Sequence, residues 1–419
     1  MVPAPDRRRV VITGMGAITP LGQTVDELWE NALAGRSGTR ELTRFDAGGY
    51  PSRVGGEVRG FDPAAHMEQR IVERTARFTQ FAIAAAGEAL RQAAFEPDVG
   101  DRSRAGVICG NGTGGAPSAE AEMRRLIADG GYAVGPLHLA RMLPNYAPGN
   151  IADVFGFLGY NNSIVTACAA GTQAIGEAAE VIRRGAADVM VAGGTEAALC
   201  ETAHAGFSSM RALTTSSNDD PASASRPFDR TRDGFVIAEG AGMVVLEPLD
   251  LALRRGAEPL AEVLGYGVSA DAAHLVAPGE RGAGAARAVR TALADAGIEA
   301  DEIDYVSAHA TATPIGDLAE TQALRSVLGE RAYQVPISAL KSQTGHMLGG
   351  SGAVEIVTAV QTIRTGTVAP TINLTRPDPQ CDLDYVPGEA RDVDVRTVMK
   401  NSFGFGGQNA VLILRRFEG

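Results

Sequence analysis

Four segments of this 419-residue chain pair off as two copies of one pattern. Ala82 to Gly115 reads as an alanine-rich helix, an acidic loop, the strand Gly106-Val107-Ile108-Cys109 and a Gly/Thr loop. Ala288 to Thr313 reads the same way, with a loop around Asp301 and Glu302, the strand Asp304-Tyr305-Val306-Ser307 and a His/Thr loop. Ser163 to Gly185 is strand, loop and a helix ending Val181-Ile182-Arg183-Arg184-Gly185; Pro336 to Gly366 ends its helix Thr362-Ile363-Arg364-Thr365-Gly366. The closing glycines take a left-handed turn without strain. Other apolar runs, Arg9–Thr13, Val189–Ala192 and Met243–Leu246, are short and β-branched, as in strands covered on both faces. Helical patterns such as Phe81–Ala94 and Gln173–Arg184 lie between them. Alternation of this kind predicts an α/β fold on a parallel sheet. The repetition predicts a duplicated fold with a pseudo-two-fold axis and a junction near Asp250, giving halves 1–250 and 251–419.

Composition removes several function classes. The net charge is -12, from 38 Lys and Arg against 50 Asp and Glu, which argues against non-specific binding of nucleic acid. Aromatic residues are 5% of the chain, with one tryptophan, Trp29, too few for a base-stacking platform. Cys109, Cys168, Cys200 and Cys381 are far apart with no CxxC pair, so neither a disulfide framework nor a zinc site is expected. No apolar run approaches the length of a membrane span, and a reducing, cytoplasmic setting is expected. Arg7-Arg8-Arg9 before Val10-Val11-Ile12 imitates a signal peptide, but Gly14, Gly16 and Pro20 break the stretch, and it reads as a buried strand.

Two glycine motifs suggest nucleotides and do not carry that reading. Gly110-Asn111-Gly112-Thr113-Gly114-Gly115 satisfies GxGxxG after a strand, yet no second strand ends in an acidic residue about 20 positions on. Gly14-Met15-Gly16 lacks the third glycine. Neither a GxxxxGK[ST] phosphate loop nor a GxSxG elbow occurs.

The chemistry concentrates elsewhere. Cys168, in Thr166-Ala167-Cys168-Ala169-Ala170-Gly171, stands where a β-branched strand gives way to a helix, so the helix dipole should favour its thiolate. His309 and His346 each end a predicted strand of the second half, and loops at the carboxyl ends of parallel strands are where α/β folds hold their sites. The remaining four histidines, His66, His138, His204 and His274, sit in no motif. One Cys and two His could hold a metal, but the spacing lacks the short ligand pairs usual for zinc. A thiol nucleophile with two neutral imidazoles as hydrogen-bond donors fits better. The glycine-rich Asn401–Asn409 loop, after a strand-like segment ending at Met399, offers backbone N–H groups for an oxyanion hole and phenylalanines to gate an apolar pocket.

Taken together these residues resemble the condensing β-ketoacyl-(acyl carrier protein) synthases of the thiolase superfamily, closest to the type II, long-chain elongating enzymes. The likeness spans essentially the whole chain, through Val11–Gly16, Arg226-Pro227-Phe228-Asp229, Arg232-Asp233-Gly234-Phe235, Glu239-Gly240-Ala241-Gly242 and the Asn401–Asn409 loop. It implies a thiolase-like, five-layered α-β-α-β-α architecture and a Cys-His-His site at Cys168, His309 and His346. Cys168 would carry an acyl chain as a thioester, malonyl-carrier protein would lose carbon dioxide, and the two histidines would stabilise the enolate. The resemblance further implies an oxyanion hole at the N–H groups of Cys168 and Phe405, with Phe405 as gate. It implies Lys341 as an active-site lysine with Glu355 beside it, and Thr311 and Thr313 on the pantetheine arm. Phe403 and Thr113 would line the substrate site, Thr113 limiting the depth of the acyl pocket. No metal or other cofactor is implied; the substrates ride on the phosphopantetheine of an acyl carrier protein. That partner is acidic, so a basic docking patch is expected at Arg70, Arg74 and Arg77, at Arg211, or at Arg124-Arg125. A homodimer, or a heterodimer with a chain-length partner, is expected. Ala310 after His309, Ala170 and Gln408 depart from the common pattern without removing a catalytic group. They leave a polyketide or polyene pathway open beside fatty-acid elongation, and intact Cys168, His309, His346 and Lys341 disfavour a non-catalytic partner subunit.

Overall fold

The computed structural model describes residues 7–96 and 101–419; part of the expected acidic loop before Gly106 lies outside them. Ten strands form one sheet: β1 (Val10–Ile18), β2 (Ala105–Gly110), β3 (Asn161–Ile164), β4 (Val189–Glu196), β5 (Gly240–Pro248), β6 (Ala261–Ala270), β7 (Tyr305–Ser307), β8 (Ile337–Ser338), β9 (Thr397–Gly404) and β10 (Gln408–Arg415). Their spatial order is β8-β7-β9-β10-β6-β1-β5-β4-β2-β3. Counted outward from the centre, β1-β5-β4-β2-β3 and β6-β10-β9-β7-β8 follow the same chain order with the same strand directions. The expected duplication is therefore present in the topology. The sheet is not parallel throughout, as the apolar runs suggested: β1, β5, β6 and β10 run antiparallel to their neighbours. A strand buried on both faces reads as a continuous apolar run whichever way its partners point, so composition does not reveal direction. The halves join where Val10, Val11 and Ile12 of β1 pair with Val263, Glu262 and Ala261 of β6.

Five helices build the layers: α1 (Arg77–Gln92), α2 (Ala170–Arg183), α3 (Ala283–Ala296), α4 (Pro314–Leu328) and α5 (Ser351–Thr365). Helices α2 and α5 pack on each other and on strands of both halves, and their Ile175, Ile182, Val357 and Val360 share one core with Ile12, Leu246, Val263 and Leu412. Helix α1 covers the outer face of the first half, and α3 and α4 cover that of the second. The layers thus read α, β, α, β, α. Every residue of α5 from Ser351 to Ile363 is buried. A helix closed to water all round belongs in a core, here between two sheet halves. No helix among the described residues is long and apolar enough to cross a membrane.

The glycines of β1 serve packing. A Cβ at Gly16 would collide with the carbonyl oxygen of Ala85, and one at Gly14 with that of Ala89. Alanine-rich α1 therefore lies directly on the strand, and this close approach accounts for the Gly14-Met15-Gly16 motif. Gly16→Val should cost about 1–3 kcal/mol by overpacking. Gly206→Ala, in a helix where a new Cβ meets nothing within 4 Å, should gain about 0.5–1 kcal/mol. Urea unfolding midpoints check both signs; equal shifts would contradict this packing.

Candidate active site

Three loops from different parts of the chain meet at the inner end of an apolar cavity of about 390 Å³, whose lining includes Cys168, His309 and His346. Cys168 stands on a 3-10 turn, Ala167–Ala169, directly before α2, at the strand-to-helix junction its sequence suggested. Strand β3 stops at Ile164, and Ala167 turns the chain with φ +48°, a left-handed conformation unusual for alanine. His309 follows β7 by two residues. His346 does not end a strand: β8 is two residues long, and a short helix, Lys341–Thr344, intervenes. Ala310 (φ +35°) and Leu348 (φ +44°) repeat the left-handed turn beside each histidine. Glycine would adopt these angles more cheaply, which accounts for the glycine of the common pattern at the position Ala310 holds here; nothing in the structure explains the alanine.

The candidate groups are in contact. His346 Nε2 lies 3.0 Å from Cys168 Sγ, and its Nδ1 lies 3.0 Å from the Ser351 hydroxyl at the start of α5. That hydroxyl also accepts from the Met347 N–H at 2.8 Å. The rings of His309 and His346 are 5.6 Å apart at an 83° angle. Burial holds both imidazoles well below their usual titration range, reinforced by the Lys341 and Lys400 ammonium groups. Both are therefore neutral near pH 7. For Cys168 burial outweighs the helix dipole. The thiol is pushed up to about 11, against the pull of Lys341 and of the backbone N–H groups of Phe405 and Cys168 itself. The expectation of a resting thiolate is corrected accordingly: the dipole was legible in sequence, the desolvation was not.

Behind the imidazoles lies a buried ionic cluster. Lys341 donates to the carbonyl of His309 at 2.6 Å and to Glu355 Oε1 at 2.6 Å. Glu355 Oε2 lies 2.9 Å from the ammonium of Lys400, an ionic contact without the angle of a hydrogen bond. Glu320 accepts from the N–H groups of His309 at 2.9 Å and Ala310 at 2.8 Å, and from Asn401 Nδ2 at 3.1 Å. The sequence reading missed Lys400, Glu320 and Ser351. A lysine inside the apolar strand Val398-Met399-Lys400-Asn401 was the available signal for the first.

The other expected residues divide. Thr311, Thr313, Phe403, Phe405 and Arg211 line the cavity. Thr313 also caps α4 by accepting from the Gly316 N–H, and its hydroxyl lies 3.1 Å from that of Thr311. The Asn401–Asn409 segment is less of a loop than expected: β9 and β10 extend through it, leaving Phe405-Gly406-Gly407 as a tight turn. Thr113 does not reach this cavity. Its hydroxyl donates to buried Glu196 at 2.7 Å, and that carboxylate also accepts from Gly112 and Gly349 N–H groups. The GxGxxG segment therefore wraps an internal carboxylate.

Of the arginines, Arg77 is turned inward onto Glu239 at 2.8 Å and begins α1, so it does not share a helix with Arg70 and Arg74 on Gln69–Arg74. Arg70 pairs with Glu68, Arg74 with Asp153, Arg124 with Glu120 and Glu201, and Arg125 with Glu122. Arg211 is exposed at the cavity and makes no ion pair among the described residues.

Two family models match the chain: "Beta-ketoacyl synthase, N-terminal domain" over residues 7–252 and "Beta-ketoacyl synthase, C-terminal domain" over residues 260–375. A 3-oxoacyl-(acyl-carrier-protein) synthase 2 of Staphylococcus aureus is 45% identical over 411 residues, covering 98% of this chain and 99% of that one. A protein of the same name from Synechocystis is 44% identical over 413 residues, 99% of each. Among solved structures, a type II PKS ketosynthase in complex with its acyl-carrier protein superposes with a TM-score of 0.92 at 35% identity. The ishigamide ketosynthase/chain length factor does so with a TM-score of 0.92 at 39% identity; each covers 98% of this chain and 100% of its own. On matches of this extent, the chain belongs to the β-ketoacyl synthase family.

Proposed function

We propose that this protein is a β-ketoacyl-(acyl carrier protein) synthase that condenses malonyl-carrier protein with a Cys168-bound acyl chain in fatty-acid elongation. The observation that carries this reading is the 3.0 Å contact of His346 Nε2 with Cys168 Sγ at the floor of an apolar cavity, with His309 beside it. The full-length likeness to 3-oxoacyl-(acyl-carrier-protein) synthases favours fatty-acid elongation over the polyketide alternative.

In the first half-reaction the Cys168 sulfur attacks the acyl thioester, its proton ends on the departing carrier sulfur, which leaves as a thiol, and the acyl chain stays on Cys168. In the second, the malonyl carboxylate carbon–carbon bond breaks and carbon dioxide departs. The electron pair of that bond becomes an enolate on the thioester oxygen, and the enolate carbon attacks the acyl carbonyl. The tetrahedral adduct collapses with loss of the Cys168 sulfur, which takes up a proton from solvent to return as the thiol. Neutral imidazoles suit this work. A Ser351 hydroxyl that accepts from Met347 has its own proton for His346 Nδ1, which leaves Nε2 as the N–H facing the site. That donor, with the neutral His309 imidazole beside it, stabilises an enolate oxygen without a metal or other cofactor. The N–H groups of Cys168 and Phe405 act on the acyl carbonyl. Phe403 and Phe405 shape the passage, and Thr311 and Thr313 offer hydroxyls to the pantetheine arm.

The partner is an acyl carrier protein, an acidic molecule for which Arg211, exposed at the cavity and without an ion pair among the described residues, is the favoured cation, with Arg70 and Arg74 secondary. We read residues 1–250 and 251–419 as the two halves, the protein as cytoplasmic, and its working form as a homodimer. The dimer reading is supported by β3, an edge strand paired on one side only, flanked by exposed Leu158 and Val165. The cytoplasmic reading is supported by four buried, free cysteines.

Mixing the protein with acyl carrier proteins of several chain lengths should leave a thioester adduct on the wild type and none on Cys168→Ala, read by intact mass. An adduct on both would remove Cys168 from its role, and a preference for polyketide intermediates would favour the alternative. The rate of iodoacetamide alkylation of Cys168 should climb about tenfold per pH unit from neutral pH towards the thiol's value of about 11. A plateau near neutral pH would reveal a resting thiolate and contradict the electrostatics described here.

A further inference from the structure

Lys400 has no task in the mechanism above, yet it is the more deeply enclosed of the two buried lysines, 0% exposed in the interior of β9. Glu355 already has Lys341 as its counter-ion, and the other carboxylate of the cluster, Glu320, is turned to the N–H groups of His309 and Ala310, so Lys400 adds a second ammonium to a carboxylate that is already paired. A strand position of this kind is ordinarily apolar, because a buried ammonium is costly unless it is well partnered.

The contacts show what it does hold. The ammonium sits against Glu355 Oε2 on α5, donates to the carbonyl of Asn401, and lies 3.3 Å from Ser402 Oγ. The Ser402 hydroxyl is 2.8 Å from that of Thr172, in the first turn of α2 just after Cys168. Lys341 occupies the other oxygen of Glu355 and donates to the His309 carbonyl.

We propose that Lys400 is a positioning residue for the condensing step: it fixes the second oxygen of Glu355 and so holds the Lys341 ammonium on the backbone of His309. With Lys341 alone, the carboxylate could turn and offer either oxygen, and the His309 loop would lose its fixed anchor. The second charge also faces His309 and His346 and disfavours their imidazolium forms. The groups around Lys400 are Glu355 from α5, Lys341 from its short helix, Glu320 from α4 and the two imidazoles; burial draws the ammonium down to about 8. Above that pH the clamp loses its charge.

The proposal rests on the condensing reading, and the test separates the two. Carbon dioxide release from malonyl-carrier protein and acylation of Cys168 are measured separately for wild type and Lys400→Met, between about pH 7 and pH 9, with thermal midpoints at each pH. Wild-type decarboxylation should fall as pH rises through about 8. Lys400→Met should be flat across that range and about tenfold slower at neutral pH, with acylation reduced less than decarboxylation and KM for malonyl-carrier protein changed less than about threefold. Superimposable profiles would overturn the proposal. So would acylation and decarboxylation falling in proportion with the thermal midpoint, the mark of a merely structural lysine. Where Lys400→Met does not fold, the wild-type profile decides: a fall near 8 upholds the proposal and a flat line overturns it. A wild type that acylates Cys168 but releases no carbon dioxide would overturn the condensing reading, and this proposal with it.

Discussion

Helix α5 shows no surface from Ser351 to Ile363, and most of the site hangs from it. Its first residue meets the Nδ1 of His346. One turn on, Glu355 anchors Lys341, which in turn holds the backbone of His309. Gly352, between them, lies so close to Thr172 and Ser402 that a side chain there would displace one or the other. A helix this enclosed can only sit between two apolar sheet faces, and only a duplicated fold supplies two of them here. Cys168 comes from one side of that layer and both imidazoles from the other. The architecture is thus what brings residues over a hundred positions apart into contact.

Burial then sets the chemistry. In a dry interior every charge needs a partner, and the uncharged forms of Cys168, His309 and His346 are favoured together. This is the opposite of a thiolate–imidazolium pair. It suits a reaction whose hard step is holding an enolate, because neutral Nε–H groups donate to a developing oxyanion without first losing a proton. Three left-handed non-glycine residues, Ala167, Ala310 and Leu348, place strain beside Cys168 and the two histidines, and the packed surroundings keep it there.

Much of this was legible in the sequence, for identifiable reasons. The repeat was visible because each half keeps its strand–loop–helix order, Cys168 stood out at a strand-to-helix junction among small residues, His309 and His346 stood out at predicted strand ends, and Lys341 came only from the family resemblance. What depends on distant partners was not legible. The hydrogen bond from Gly349 to Glu196 spans 153 residues, and that from Asn401 to Glu320 spans 81. Thr113 was assigned to the substrate site because nothing in a glycine-rich loop shows that its hydroxyl turns to Glu196. Strand direction was missed because burial on both faces erases the alternation that betrays an antiparallel edge. The inward turn of Arg77 was missed because a two-residue break, Thr75-Ala76, separates two helices that read as one.

The central claim is that Cys168 and the Phe405 turn receive the acyl carbonyl while the two imidazoles face the enolate. A crystal structure of the acyl-enzyme measures this directly. The acyl carbonyl oxygen should lie about 2.7–3.1 Å from the backbone nitrogens of both Cys168 and Phe405, leaving His309 and His346 free to face the malonyl site. An acyl oxygen turned away from those nitrogens and bound to His309 or His346 would contradict the account.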